Sequence, residues 1–168
     1  LSLGEYTALH LAGAFGFVDA LRLVALRGRL MQEAAEASRG GMVALIGADE
    51  GKAEELVEAA RGGDVLVAAN FNAPGQIVLS GDLAACERAV EKAGDLGLRA
   101  TPLTVAGAFH SPLMQPAADG LADALAEVDV RPLRFPVWSN VTGGPHADAD
   151  PDALRKRLVE QLVKPVRW

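Results

Sequence analysis

From Gly40 to Leu103 the chain alternates through six short segments, and their order restricts the fold more than any other feature. Residues 42–46 read as a strand, 52–60 as a helix, 65–69 and 76–80 as two further strands, 83–94 as a second helix and 98–103 as a last strand. Asn72-Ala73-Pro74-Gly75 supplies the turn signals between the middle strands. The order β-α-β-β-α-β is that of a ferredoxin-like unit. We place it at residues 38–103, inserted between 1–37 and 104–168.

The flanks have a different character. Residues 3–14 form a helix candidate of small residues that ends near Gly13 and Gly16, and residues 17–37 a longer one with a well-populated apolar side. Asp19 falls in its first turn, where the helix dipole favours a carboxylate. Gly40-Gly41 breaks the pattern. Beyond His110, residues 113–127 read as a helix with Pro112 and Pro116 near its start, 134–139 as a short strand, 143–150 as a polar loop and 152–162 as a helix stopped by Pro165. Strand followed by helix outside the inserted unit predicts an α/β fold. Its partial, hydrolase-like parallel-sheet core comes from residues 1–37 and 104–168, and 38–103 is the ferredoxin-like small domain. A composition that is 50% hydrophobic and only 5% aromatic suits such alternation of helices and buried strands.

Several function classes are disfavoured. The formal charge is −6, from 16 basic and 22 acidic residues, and the longest basic run is Arg155-Lys156-Arg157, so no nucleic-acid surface is expected. Cys86 is the single cysteine and can make no internal disulfide; His10, His110 and His146 lie far apart, so no metal site is expected. His10 reads as a packed residue and His146 as part of an exposed loop. No apolar run is long enough to span a bilayer and no signal-peptide pattern is present, which predicts a cytoplasmic protein. An organelle stays open if a targeting segment precedes Leu1.

Chemistry concentrates at three places. Ser2-Leu3-Gly4 opens an apolar helical run, the arrangement found downstream of a nucleophile elbow, where a small residue permits the tight turn and the hydroxyl stays exposed. The amide of Leu3 at the helix start would then face a developing oxyanion. Ser2 equally suits an N-cap. A serine nucleophile needs a base, and His110 lies in Gly107-Ala108-Phe109-His110-Ser111-Pro112, a Gly/Pro-bounded loop of the kind that mounts functional groups. The alternative is a histidine that only holds its loop. No acid is positioned to orient it, which leaves a backbone or amide oxygen. Arg27, among apolar helix residues and followed by Gly28, suits a bidentate grip on a carboxylate with room for close approach, or else a surface position along the helix.

These blocks, together with Asn70-Phe71-Asn72-Ala73-Pro74-Gly75-Gln76 and Gln161-Leu162-Val163-Lys164-Pro165-Val166, make the chain resemble the malonyl-CoA:acyl-carrier-protein transacylases of bacterial or organellar type. Related acyltransferase domains occur in polyketide and fatty-acid synthases. The resemblance implies that Ser2 is acylated, His110 is its base, Leu3 supplies an oxyanion amide and Arg27 holds the malonyl carboxylate. It also makes the backbone carbonyl of Gln161 the group that orients the histidine, and Phe109 the residue that selects malonyl over branched donors. The implied substrate is malonyl-CoA, the partner acyl carrier protein and the pathway fatty acid biosynthesis, with no cofactor or metal. Two departures stand beside this. Leu1 occupies a position where many members have histidine. The family's strand into the elbow, a glutamine of its oxyanion hole and a Gly-Pro-Gly stretch have no counterpart here, so the chain reads as a central fragment. A serine thioesterase or hydrolase, and a non-catalytic carrier-protein-binding remnant, are the competing readings.

Overall fold

The structure, a computed structural model, describes residues 1–146 and 150–168. Its sheet is built where the six-segment pattern lies. β1 (Gly40–Ala48), β2 (Leu66–Ala73), β3 (Gly75–Asp82) and β4 (Arg99–Pro102) pair antiparallel in the order β4-β1-β3-β2. That is the ferredoxin-like order. Each crossover helix, α3 (Glu50–Arg61) and α4 (Leu83–Lys92), skips one strand and leaves the gap that β3 or β1 fills. The register sets Met42 opposite Ser80 and Leu45 opposite Ile77, so alternate residues face the two helices. Leu45, Leu56, Leu79 and Ala89 are fully buried between helices and sheet.

Local chemistry marks the element ends. Asp49 caps α3 by accepting from the Lys52 amide at 2.8 Å. At the other end Arg88 donates to the Ala60 and Arg61 carbonyls at 2.6 and 2.7 Å and meets Asp64, which satisfies orphan acceptors of the last turn. The helix expected over 83–94 gives way at its end to a 3-10 turn, Ala93–Leu96, before Gly97 reverses the chain at φ 68°.

The remaining helices pack around a second apolar centre. α1 (Ser2–Leu11), α2 (Phe17–Ala37), α5 (Gln115–Ala126) and α6 (Pro151–Val163) bury Tyr6, Leu9, Leu23, Leu121, Leu158 and Leu162 against one another. The parallel component of the sheet is small. The strand expected over 134–139 shrinks to β5 (Trp138–Ser139), because Pro136 has no amide to donate. β5 pairs with β6 (Gly144–Pro145), and β7 (Val166–Arg167) adds in parallel to the edge of β2 through Asn70 and Phe71. The polar loop expected over 143–150 begins with β6, and its residues 147–149 lie outside the described residues. No described helix is long and apolar enough to cross a membrane.

Where the two apolar centres meet, backbones approach closely. A Cβ on Gly40 would stand 2.7 Å from Ala108 Cβ, and one on Gly107 would stand 2.5 Å from Ala35 Cβ and 2.9 Å from Ala35 Cα. The loop from Gly107 is thus wedged against the last turns of α2 and the start of β1. Gly28 has the opposite character: it is exposed and nothing lies within 4 Å of a Cβ built on it, so the close approach expected there is not made. Gly107→Ala should therefore destabilise the chain by about 1–3 kcal/mol, as overpacking does. Gly28→Ala, inside an exposed helix face, should stabilise it by about 0.5–1 kcal/mol. Urea denaturation of both variants checks the pair of opposite signs.

Candidate active site

His110 is delivered by the wedged loop. Its φ is 56°, the sole positive φ of a non-glycine among the described residues, a conformation histidine tolerates better than branched residues do. Ser111, fully buried, secures the turn by donating to the Ala108 carbonyl at 2.7 Å and accepting from the Leu113 amide at 3.2 Å. The imidazole is turned inward and buried, with Nδ1 2.7 Å from the backbone carbonyl oxygen of Gln161. A carbonyl only accepts, so Nδ1 carries the proton and Nε2 keeps its lone pair for a reacting group. Burial pushes the His110 pKa below its ordinary value, the Gln161 carbonyl opposes this, and the Arg27 charge adds to the lowering. The ring is neutral at neutral pH, the state a base needs.

Ser2 is the first residue of α1 and is half-buried. It does not cap the helix: Leu1 holds the N-cap position, and Ser2 Oγ instead accepts from Arg27 Nη2 at 2.5 Å. No hydrogen bond joins Ser2 to His110 in this arrangement. As a first-turn amide, the N–H of Leu3 has no acceptor inside its helix and remains available at the positive end of the dipole.

Arg27 is buried rather than spread along the helix surface, at 6% exposure. One nitrogen, Nη2, serves both Ser2 Oγ and Gln161 Oε1, the latter at 3.2 Å, while Nε is buried without a partner. The guanidinium lies over the Tyr6 ring at 5.5 Å from its centroid. Among the described residues no carboxylate forms an ion pair with it. Burial is the main reason its pKa is lowered, and burial likewise pushes the Tyr6 phenol up.

Gln161, fully buried on α6, is where these groups converge. Its carbonyl meets His110, its Oε1 meets Arg27, and its Nε2 donates to the Ser2 carbonyl at 3.1 Å and to Glu5 Oε2 at 2.7 Å. Ser2, Arg27, His110 and Gln161 are thus brought together, with Leu3 beside Ser2. Phe109, half-buried, packs against both the helical centre and the Met42–Ala69–Val78 cluster behind the sheet. Two residues were not anticipated. Glu5 is buried, and His146, expected in an exposed loop, holds its side chain at 5% exposure with Nε2 2.8 Å from Glu5 Oε1. The available signal was helical phase, since Glu5 shares a face with the buried Leu9 one turn on. His10 is packed as expected, with Nδ1 3.0 Å from the Phe15 carbonyl.

The chain matches the acyl transferase domain family over residues 1–168. It is 44% identical over 168 residues to the malonyl CoA-acyl carrier protein transacylase of Escherichia coli K12, covering 99% of this chain and 54% of that protein. The transacylase of Coxiella burnetii superposes with a TM-score of 0.94 at 43% identity, over 99% of this chain and 52% of that one. A malonyl-transacylase solved in complex with a type II PKS acyl-carrier protein superposes equally, at 42% identity, over 100% of this chain and 54% of that one. The chain spans about half the length of the relatives it matches.

His110 should titrate below 6.5. The unfolded chain then binds more protons than the folded one between the two pKa values, so stability is full above the unfolded value and falls as pH drops through the folded one. An imidazole titration by NMR with urea melts across that window checks both. A midpoint at or above 6.5, or melts that do not respond to His110→Asn, would contradict the assignment.

Proposed function

We propose that this chain, which belongs to the acyl transferase family, carries the reacting groups of an enzyme that moves a malonyl group from coenzyme A to the phosphopantetheine thiol of acyl carrier protein. One observation carries the choice of donor: a buried guanidinium with no ionic partner among the described residues lies in contact with the serine hydroxyl. A buried charge without a counter-charge is costly, and a planar carboxylate presented beside Ser2 would relieve it bidentately. The relatives named as malonyl transacylases support the same donor.

The scheme runs through an ester on Ser2. In the resting site the hydroxyl is turned to Arg27. A malonyl carboxylate competes for that guanidinium and frees Oγ to rotate toward Nε2 of His110. The imidazole takes the hydroxyl proton as Oγ attacks the thioester carbonyl, and the oxyanion forms at the Leu3 amide. The C–S bond breaks, His110 returns the proton to sulfur, and coenzyme A leaves as the thiol. The carrier thiol then gives its proton to His110 and attacks the ester; the C–O bond breaks and Ser2 recovers its proton. Gln161 holds the imidazole through both halves, and Phe109 fills space that a branched donor would need.

We further assign residues 1–37 with 104–168 to an incomplete α/β catalytic core and 38–103 to an inserted ferredoxin-like small domain. We also propose a cytoplasmic setting and the pathway of fatty acid biosynthesis, a reading supported by the likeness to bacterial malonyl CoA-acyl carrier protein transacylases.

Brief exposure of the full-length protein to malonyl-CoA should add one malonyl group, located on Ser2 by mass spectrometry and absent from Ser2→Ala. No adduct would favour the carrier-binding remnant, and release of free malonate without transfer would favour a hydrolase. Arg27→Ala should lower malonyl transfer by about 10²-fold through loss of charge-assisted hydrogen bonds. Acetyl transfer should fall far less, and equal losses would remove the selectivity role.

A further inference from the structure

We infer that the buried pair Glu5–His146, outside the reacting groups, is a positioning element that sets the orientation of the Gln161 side chain and through it the guanidinium of Arg27. The inference rests on the carboxylate-donor reading of Arg27 given above. Glu5 Oε2 accepts from Gln161 Nε2 at 2.7 Å and from the Asn140 amide at 2.9 Å, while Oε1 faces His146 Nε2 at 2.8 Å. The Glu5 side chain is 0% exposed, so these protein donors take the place of water.

Donor and acceptor capacities leave Gln161 one orientation. Arginine can only donate and an ionised carboxylate can only accept. The amide between them must therefore turn its oxygen to Arg27 and its nitrogen to Glu5, with the second amide hydrogen on the Ser2 carbonyl. His146 completes the chain by donating to the other oxygen of Glu5, with its side chain at 5% exposure. If Glu5 could also donate, the amide could flip and present its NH2 to the guanidinium. Two donors would then face each other and Arg27 would leave the place where it meets a carboxylate. Glu5 makes no hydrogen bond to Ser2 Oγ, His110 or Arg27; its hydrogen-bonded link to the guanidinium runs through Gln161, while its charge also acts on Arg27 through space.

Glu5→Gln has the same shape and can still accept from Gln161 and Asn140, but it removes the acceptor-only end. In the full-length protein this variant should lower the ratio of malonyl to acetyl transfer about tenfold, chiefly through the KM for malonyl-CoA, the size of one weakened charge-assisted hydrogen bond. His146→Leu, which leaves Oε1 without its donor, should shift the ratio the same way by a smaller factor, and His146→Gln, which restores a donor, should recover it. A merely structural role would lower both donors in proportion to lost stability. Equal losses, or an unchanged ratio in Glu5→Gln, overturn the inference. Thermal stabilisation by free malonate against acetate is measured alongside. Should the unsubstituted protein transfer neither donor, the transacylase reading falls. The malonate preference then decides alone: its reduction in Glu5→Gln and His146→Leu upholds the positioning role, and its persistence overturns it. If Glu5→Gln does not fold, the His146 pair decides by the same ratio and the same preference.

Discussion

A single buried glutamine organises the site. Gln161 uses its main-chain carbonyl for His110 and both ends of its side chain for Arg27, Ser2 and Glu5. Groups separated by more than a hundred residues are therefore held by one residue in the last turn of α6. Glu5, Arg27, His110 and Gln161 are buried, and an unmatched donor or acceptor there costs on the order of 1–3 kcal/mol. The network satisfies Arg27 Nη2 through Ser2 and Gln161 and leaves its Nε without a partner.

The histidine is prepared by similar means. A left-handed backbone at His110 is an unfavourable local choice, retained because Gly107 packs on Ala35, Ala108 on Gly40 and Ser111 on its own loop. The result is an imidazole with one nitrogen committed to a carbonyl and the other free. Its burial keeps it neutral. Strain in the loop and burial of the ring thus serve the same end, an imidazole that does not have to be deprotonated by solvent first.

The site lies where the two apolar centres adjoin, and the contacts across that boundary are few and specific. Phe109 packs on both sides, and β7 crosses to pair with β2, where Arg167 stacks on the Phe71 ring at 4.6 Å and meets Glu50 at 3.2 Å. Because β7 follows α6 directly, the strand that ties the sheet to the helices also anchors the helix carrying Gln161.

Much was legible in the residues alone. The β-α-β-β-α-β order is written in apolar segments punctuated by glycine and proline, and its strand order followed because crossovers have few solutions. The long helix over 17–37 was readable to the residue from its uninterrupted periodicity. Ser2, His110 and Arg27 stood out because their chemistry is unusual for their surroundings. Other features depended on partners distant in the chain. Pro136 shortened a strand that local composition favoured, Arg27 proved buried, and Glu5 and His146 proved to be a buried pair although they lie 141 positions apart. Local sequence determines which segments are helix or strand and which side chains could react, since those depend on neighbours a few residues away. Only the tertiary structure decides which charges lose their water and which donors meet which acceptors, because both depend on where distant segments come to rest.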